Sequence, residues 1–228
     1  MSDPQPASRR IFITGGTGYL GRRVIARLVE RGHAVTALAR PASAATLPAG
    51  CRSLIGDPLN AATFASQVAP AATFIQLVGT PHPAPWKAKQ FREIDLVSMR
   101  ESMKAATQAG VAHFIYLSVA QPAPIMRAYL AVREWCEIQL KATGLASTIF
   151  RPWYILGPGH RWPTVLRPVY RLLELFPRTR DSAQRLGLVT LEEITKALVW
   201  AVEHPSTGTR LLDVMEIRRL GRSGCENG

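Results

Sequence analysis

The chain alternates short, nearly continuous apolar runs with longer stretches in which apolar residues return every three or four positions. The first pattern suits strands buried on both faces, and the second suits helices with one apolar face. Strands are expected at 10–14, 34–38, 52–55, 73–78, 113–117, 147–151 and 210–214. Helices are expected at 19–30, 61–68, 89–108, 126–142 and 191–202. In the first helix Leu20, Val24, Ile25 and Leu28 share a face, and Gly32 sits where a helix stop belongs. The last opens on Thr190-x-x-Glu193, a capping box, with Ile194, Ala197, Leu198 and Ala201 behind it. Strand and helix in regular alternation predict an α/β fold, a doubly wound sheet of parallel strands joined by crossover helices. Residues 1–228 carry no internal repeat or interdomain linker and are expected to form one domain, with the polar tail 218–228 frayed.

Two segments break the alternation. Residues 79–88 begin Gly-Thr-Pro-His-Pro-Ala-Pro-Trp, whose prolines exclude both a helix and a central strand. Residues 151–185 carry proline and glycine around a predicted helix at 165–176, a small C-terminal segment over the sheet edge. Ligands of open α/β sheets bind outside the carboxyl ends of the strands, so both segments fall where a substrate would sit. Trp86 in the first, and Trp153, Tyr154, His160 and Trp162 in the second, are candidate contacts to a small-molecule substrate. Covering the end of the sheet is an equally good use for the tryptophans.

Composition narrows the classes. With 47% hydrophobic and 19% charged residues the chain is globular. No apolar run approaches the ~20 residues of a membrane-spanning helix, and the polar start lacks a signal-peptide core, so a soluble, cytoplasmic protein is expected. Cys51, Cys136 and Cys225 lack paired spacing, which argues against a disulfide framework and a metal site. A net charge of +12 is compatible with nucleic acid, an anionic membrane or an acidic partner. The arginines are scattered and not interleaved with aromatics, so nucleic acid is not expected. Arg161, Arg167, Arg171, Arg178, Arg180 and Arg185 surround the apolar positions of the helix at 165–176. Packing over the cleft is favoured for that helix over peripheral contact with an anionic membrane.

The most specific chemistry lies at the first strand-to-helix junction, Thr14-Gly15-Gly16-Thr17-Gly18-Tyr19-Leu20-Gly21. It satisfies both G-x-G-x-x-G and the looser G-x-x-G-x-x-G, and it follows a strand and opens a helix, the context that a dinucleotide pyrophosphate requires. Glycines let the backbone approach the phosphates, and the amides and dipole of the helix N-terminus attract them. The fold is thus expected to be Rossmann-like. Arg40 stands at the end of the second strand, where an acidic residue would hold the ribose of NAD. A guanidinium there suits a 2′-phosphate, so NADP is preferred, with NAD the alternative. Asp57 after the third strand accepts from adenine or caps a local turn, and Val78 and Gly79, at the end of the fourth strand, are expected beside the cofactor. Arg22 and Arg23 are read as solvent-exposed.

These motifs, with Gly56-Asp57, Ser118 ending Phe-Ile-Tyr-Leu-Ser, Tyr129, and Arg151-Pro152, resemble the short-chain dehydrogenase/reductases, in particular atypical and extended members that are NmrA-like or epimerase-like. The resemblance runs from about Arg9 to Val214. It implies a hydride-transfer site in which Tyr129 protonates a carbonyl and Ser118 orients it. A lysine four residues after the tyrosine would bind the nicotinamide ribose, but here that position is Arg133. A guanidinium can favour tyrosinate and bind a hydroxyl, yet it does not release a proton. Two classes therefore stand: an NADP-dependent oxidoreductase acting on a small carbonyl or apolar substrate, and a cofactor-binding sensor, assembly factor or scaffold without turnover. The family also suggests a monomer or homodimer.

Overall fold

The computed structural model describes residues 7–123, 126–157 and 187–223. Seven strands make one parallel sheet: β1 (Arg10–Thr14), β2 (Ala34–Ala39), β3 (Arg52–Ile55), β4 (Thr73–Gln76), β5 (His113–Leu117), β6 (Ser147–Phe150) and β9 (Thr209–Leu212). Their spatial order is β3-β2-β1-β4-β5-β6-β9, and every pairing is parallel. The order reverses at β1, which lies between β2 and β4, and this places the ligand crevice of such a sheet at the carboxyl end of β1.

Helices cover both faces. On one side α1 (Tyr19–Glu30), α4 (Leu191–Glu203) and α5 (Val214–Ser223) enclose Ile11, Ile13, Val24, Ile25, Leu28, Ile194 and Leu198. On the other, α2 (Val97–Gln108) and α3 (Arg127–Ala142) pack over Phe12, Phe74, Phe114, Met99, Cys136 and Ile149. Phe74 and Phe114 stack with centroids 5.2 Å apart. Residues buried on both faces of every central strand explain why those strands read as continuous apolar runs rather than as alternation.

The structure corrects several boundaries. The helix expected at 61–68 is instead two 3-10 turns, Ala61–Thr63 and Ala65–Gln67. Their buried Ala61, Phe64 and Val68 have helical spacing, but Asn60 and Thr63 satisfy the backbone locally. The fourth strand ends at Gln76, two residues before the expected end. The helix expected at 89–108 is interrupted by a π-helical segment, Phe91–Leu96, ahead of α2. The seventh strand spans Thr209–Leu212, and Val214 opens α5. That helix contradicts a tail frayed from residue 218. Asp213 and Glu216 cap each other's backbone amides, and Val214 and Ile217 are buried under it. A small parallel pair, β7 (Tyr154–Leu156) with β8 (Leu188–Thr190), leads into α4 through the expected capping box. The helix expected at 165–176 and its arginines lie outside the described residues. No described helix is long and apolar enough to cross a membrane.

Candidate functional site

The glycine turn occupies the crevice between β1 and β4. Thr14 hydrogen-bonds Gln76, whose carbonyl also accepts the Val78 amide, and the Leu77 amide bonds the Thr14 carbonyl. Gln76 is absent from the residues that the sequence motifs mark, although a glutamine in an otherwise apolar strand is itself a signal of a buried polar role. Gly15 takes φ +78°, and a Cβ there would sit 2.7 Å from the Leu77 carbonyl carbon. At Gly21 a Cβ would run into the Gly15 carbonyl oxygen and lie 2.7 Å from the Gly16 Cα. The turn is therefore closed tightly on the first turn of α1.

Gly18 is the N-cap of α1, with no side chain capping the helix and no acidic residue in its first turn. Such amides have no intrahelical acceptor, and the dipole favours an anion beside them. These residues fit a dinucleotide pyrophosphate. Thr17 and Tyr19 are half-buried and Leu20 is buried, the last facing the core. Arg23 lies over the Tyr19 ring at 4.8 Å and donates to the Tyr19 carbonyl, so it is held on the helix, while Arg22 is exposed.

At the neighbouring strand ends Arg40 is exposed directly after β2, and its side chain forms no ion pair among the described residues. Asp57 follows β3, and its carboxylate accepts the Leu59 amide at 2.9 Å, which is the turn-capping use. Asp57 itself is exposed.

The candidate catalytic trio divides into two buried networks. Ser118 donates to Glu137 at 2.5 Å. Glu137 also accepts from Gln121 and forms a two-point ion pair with Arg151. A cavity of about 410 Å³ opens beside this carboxylate, with Leu130, Ile138, Lys141 and Arg151 in its walls. One turn back along α3, Arg133 is 5% exposed. Its guanidinium pairs with Asp95 at 2.5 Å and donates to the Leu117 carbonyl at 2.8 Å and the Tyr116 hydroxyl at 3.2 Å. It also lies 5.0 Å from the centre of the Tyr129 ring. Asp95 sits in the π-helical segment, and its other oxygen accepts the Thr80 amide and hydroxyl.

Gly79 belongs to this second network. A Cβ there would be 2.6 Å from an Arg133 terminal nitrogen and 3.3 Å from Asp95. The absent side chain makes room for the ion pair. Burial works against the charge on Arg133, but Tyr116, Tyr129 and Asp95 outweigh it, and the guanidinium stays ionised. Tyr129 is half-buried against Phe91, with centroids 4.9 Å apart. Burial pushes its phenol above the ordinary range; Arg133 pulls it back and Asp95 pushes it up again.

Of the candidate substrate contacts, Trp86 is exposed in a 3-10 turn, Trp153 is half-buried, and Tyr154 is the first residue of β7. His160 and Trp162 lie outside the described residues. Cys51 and Cys136 are free thiols, and burial pushes Cys136 up to about 11, which leaves it inert.

The fold and glycine turn agree with comparison to known proteins. A family model described as NAD(P)H-binding matches residues 15–166, more than half of the chain. The chain belongs to that NAD(P)H-binding family. It is 30% identical over 124 residues to divinyl chlorophyllide a 8-vinyl-reductase of Oryza sativa, a match covering 50% of the chain and 30% of that relative. Similarity to ceramide reductase of Caulobacter vibrioides is 24% identity over 95% of the chain and 67% of the relative. The photosystem II assembly factor Ycf39 of Synechocystis is 26% identical over 62% of the chain and 44% of its own length. Thus the chain spans less than half the length of two of these three relatives. Among solved structures, Bordetella bronchiseptica WbmH in complex with NAD+ superposes with a TM-score of 0.68 at 19% identity, over 91% of this chain and 76% of that one.

Proposed function

We propose that the chain binds NADP(H) in preference to NAD(H) and uses it to reduce a small carbonyl compound with an apolar or aromatic body. The observation that carries the cofactor preference is Arg40, exposed at the carboxyl end of β2 with no ion-pair partner among the described residues. The glycine turn would hold the pyrophosphate and Arg40 the 2′-phosphate; the cofactor, when bound, supplies the hydride. The chain's own share is at Tyr129. Its phenol, pushed above the ordinary range by burial, keeps its proton at neutral pH and offers it to a carbonyl oxygen. Trp86, Trp153 and Tyr154 are suitable aromatic surfaces for such a substrate.

Titration calorimetry with NADPH and NADH tests the reading. NADPH should bind about tenfold or more tightly, as one charge-assisted phosphate contact is worth roughly 1.5–3 kcal/mol, and Arg40→Ala should remove the difference. Equal binding of both cofactors by the parent would refute the assignment. Turnover is read as NADPH oxidation with aromatic aldehydes and ketones, and Tyr129→Phe should abolish it.

A second reading, a cofactor-binding protein without turnover, draws on a separate observation. Ser118 and Arg133 are both committed to buried carboxylates, Glu137 and Asp95. Similarity to an assembly factor supports it too. It predicts NADPH binding with no substrate-dependent oxidation and no change in Tyr129→Phe.

A further inference from the structure

Arg133 replaces a lysine in the motif, but the residue that decides what the arginine does is Asp95. It lies in a π-helical segment, a distortion of helix geometry that turns up often at functional sites. The segment carries the Asp95 carboxylate beneath α3, where it is 2% exposed. One oxygen binds the Arg133 guanidinium, while the other is fixed by the Thr80 amide at 2.9 Å and hydroxyl at 2.5 Å. Arg133 is held from three further sides by Leu117, Tyr116 and the face of Tyr129. A long cationic side chain is thereby fixed in one place against the backbone at Gly79.

We propose that Asp95 is the positioning residue of this site: it anchors Arg133 beneath the Tyr129 ring as an ion pair of no net charge, so that the tyrosine serves as a neutral hydrogen-bond donor and not as a base. A lone cation at this distance would favour tyrosinate. The pair presents a compensated field instead. Among the described residues, the charged groups facing Tyr129 are Arg133 from its own helix and Asp95 from the π-helical segment. Lys87, in the 3-10 turn packed on the same helix, is bound to the Pro81 carbonyl at 2.7 Å. A neutral phenol recognises an acceptor, so the ligand at this position carries a carbonyl or carboxylate oxygen rather than an alcohol awaiting deprotonation. This deepens the reductase reading and rests on it for the ligand's class, but the state of Tyr129 is measured without any cofactor.

The experiment is a spectroscopic pH titration of tyrosinate in the ligand-free protein, with Tyr129 isolated by subtracting the same titration of Tyr129→Phe. Asp95→Asn should lower the Tyr129 midpoint by about one pH unit or more, and Arg133→Met should raise it. The double variant, which removes both charges, should return toward the parent. A midpoint unchanged or raised in Asp95→Asn overturns the proposal. If Asp95→Asn does not fold by circular dichroism, the remaining two variants decide. The double must titrate below Arg133→Met, and equal midpoints overturn the proposal. Failure here leaves the calorimetric NADPH preference untouched, and loss of that preference leaves these midpoints untouched.

Discussion

Ser118 and Glu137 are joined by a hydrogen bond of 2.5 Å between a buried hydroxyl and a buried carboxylate. The bond gives the serine a structural partner at the position where its family resemblance implies an orienting role. Removing it leaves Glu137 with Gln121 and Arg151 as donors. Ser118→Ala should therefore cost about 1–2 kcal/mol in urea denaturation and leave NADPH affinity by calorimetry unchanged. Glu137→Ala should cost more, about 3–5 kcal/mol, since it strands the Arg151 charge.

Gly21 and the Gly15 carbonyl are in contact across the turn, with no room for a methyl group. Gly21→Ala must push α1 away from the end of β1. A destabilisation of about 1–3 kcal/mol is expected from overpacking, accompanied by loss of measurable NADPH binding. Binding retained at parental affinity would mean that the turn does not hold the pyrophosphate.

His113 gives the fold an acid limit. The ring is 1% exposed, bonded to Thr148 at 3.0 Å through one nitrogen, with the other nitrogen unpartnered among the described residues. Burial, with Arg210 and Arg9 nearby, lowers it to about 4 from 6.5. In the unfolded chain it takes up a proton near the higher value, so between these limits the unfolded state binds more protons and stability falls as pH drops. The loss begins near pH 6.5 and amounts to roughly 3 kcal/mol by pH 4. Urea midpoints at pH 7.5 and 4.5 should differ less in His113→Gln than in the parent.

Thr190 caps α4 by accepting the Glu193 amide at 3.1 Å, while Glu193 accepts the Thr190 amide at 2.8 Å. Thr190→Ala should cost about 1 kcal/mol in thermal or urea unfolding. The helix packs on both α1 and α5, so the loss should appear in the global transition and not as local fraying.

What the sequence made legible is what depends on local pattern. The bounds of β1, α1, β3 and β5 coincide with expectation: β1 and β5 are apolar runs, α1 is an amphipathic stripe, and β1 and β3 are each closed by a glycine. The turn at Gly15 and the box at Thr190 are likewise local. The apolar run at 210–214 reads as strand through Val214 and hides the start of α5, although Asp213-x-x-Glu216 is a readable helix start. Asp95 and Glu137 are illegible in the sequence for a different reason. Each is an acidic residue on a helical stretch, ordinarily a solvated position, and only the tertiary fold brings Arg133 or Arg151 against it. Partners remote in sequence leave no spacing to read.

The missing side chain at position 79 also sets the order in which this site could be altered. Arg133→Lys alone would restore the motif's ammonium group but shorten the reach. It would open a gap beside Gly79 and leave Asp95, Tyr116 and Leu117 short of the donors they share. Filling position 79 first would strike the guanidinium already there. A change at position 79 or 133 therefore disturbs the contacts of the other, and Asp95, bound to the Arg133 guanidinium, is disturbed with them.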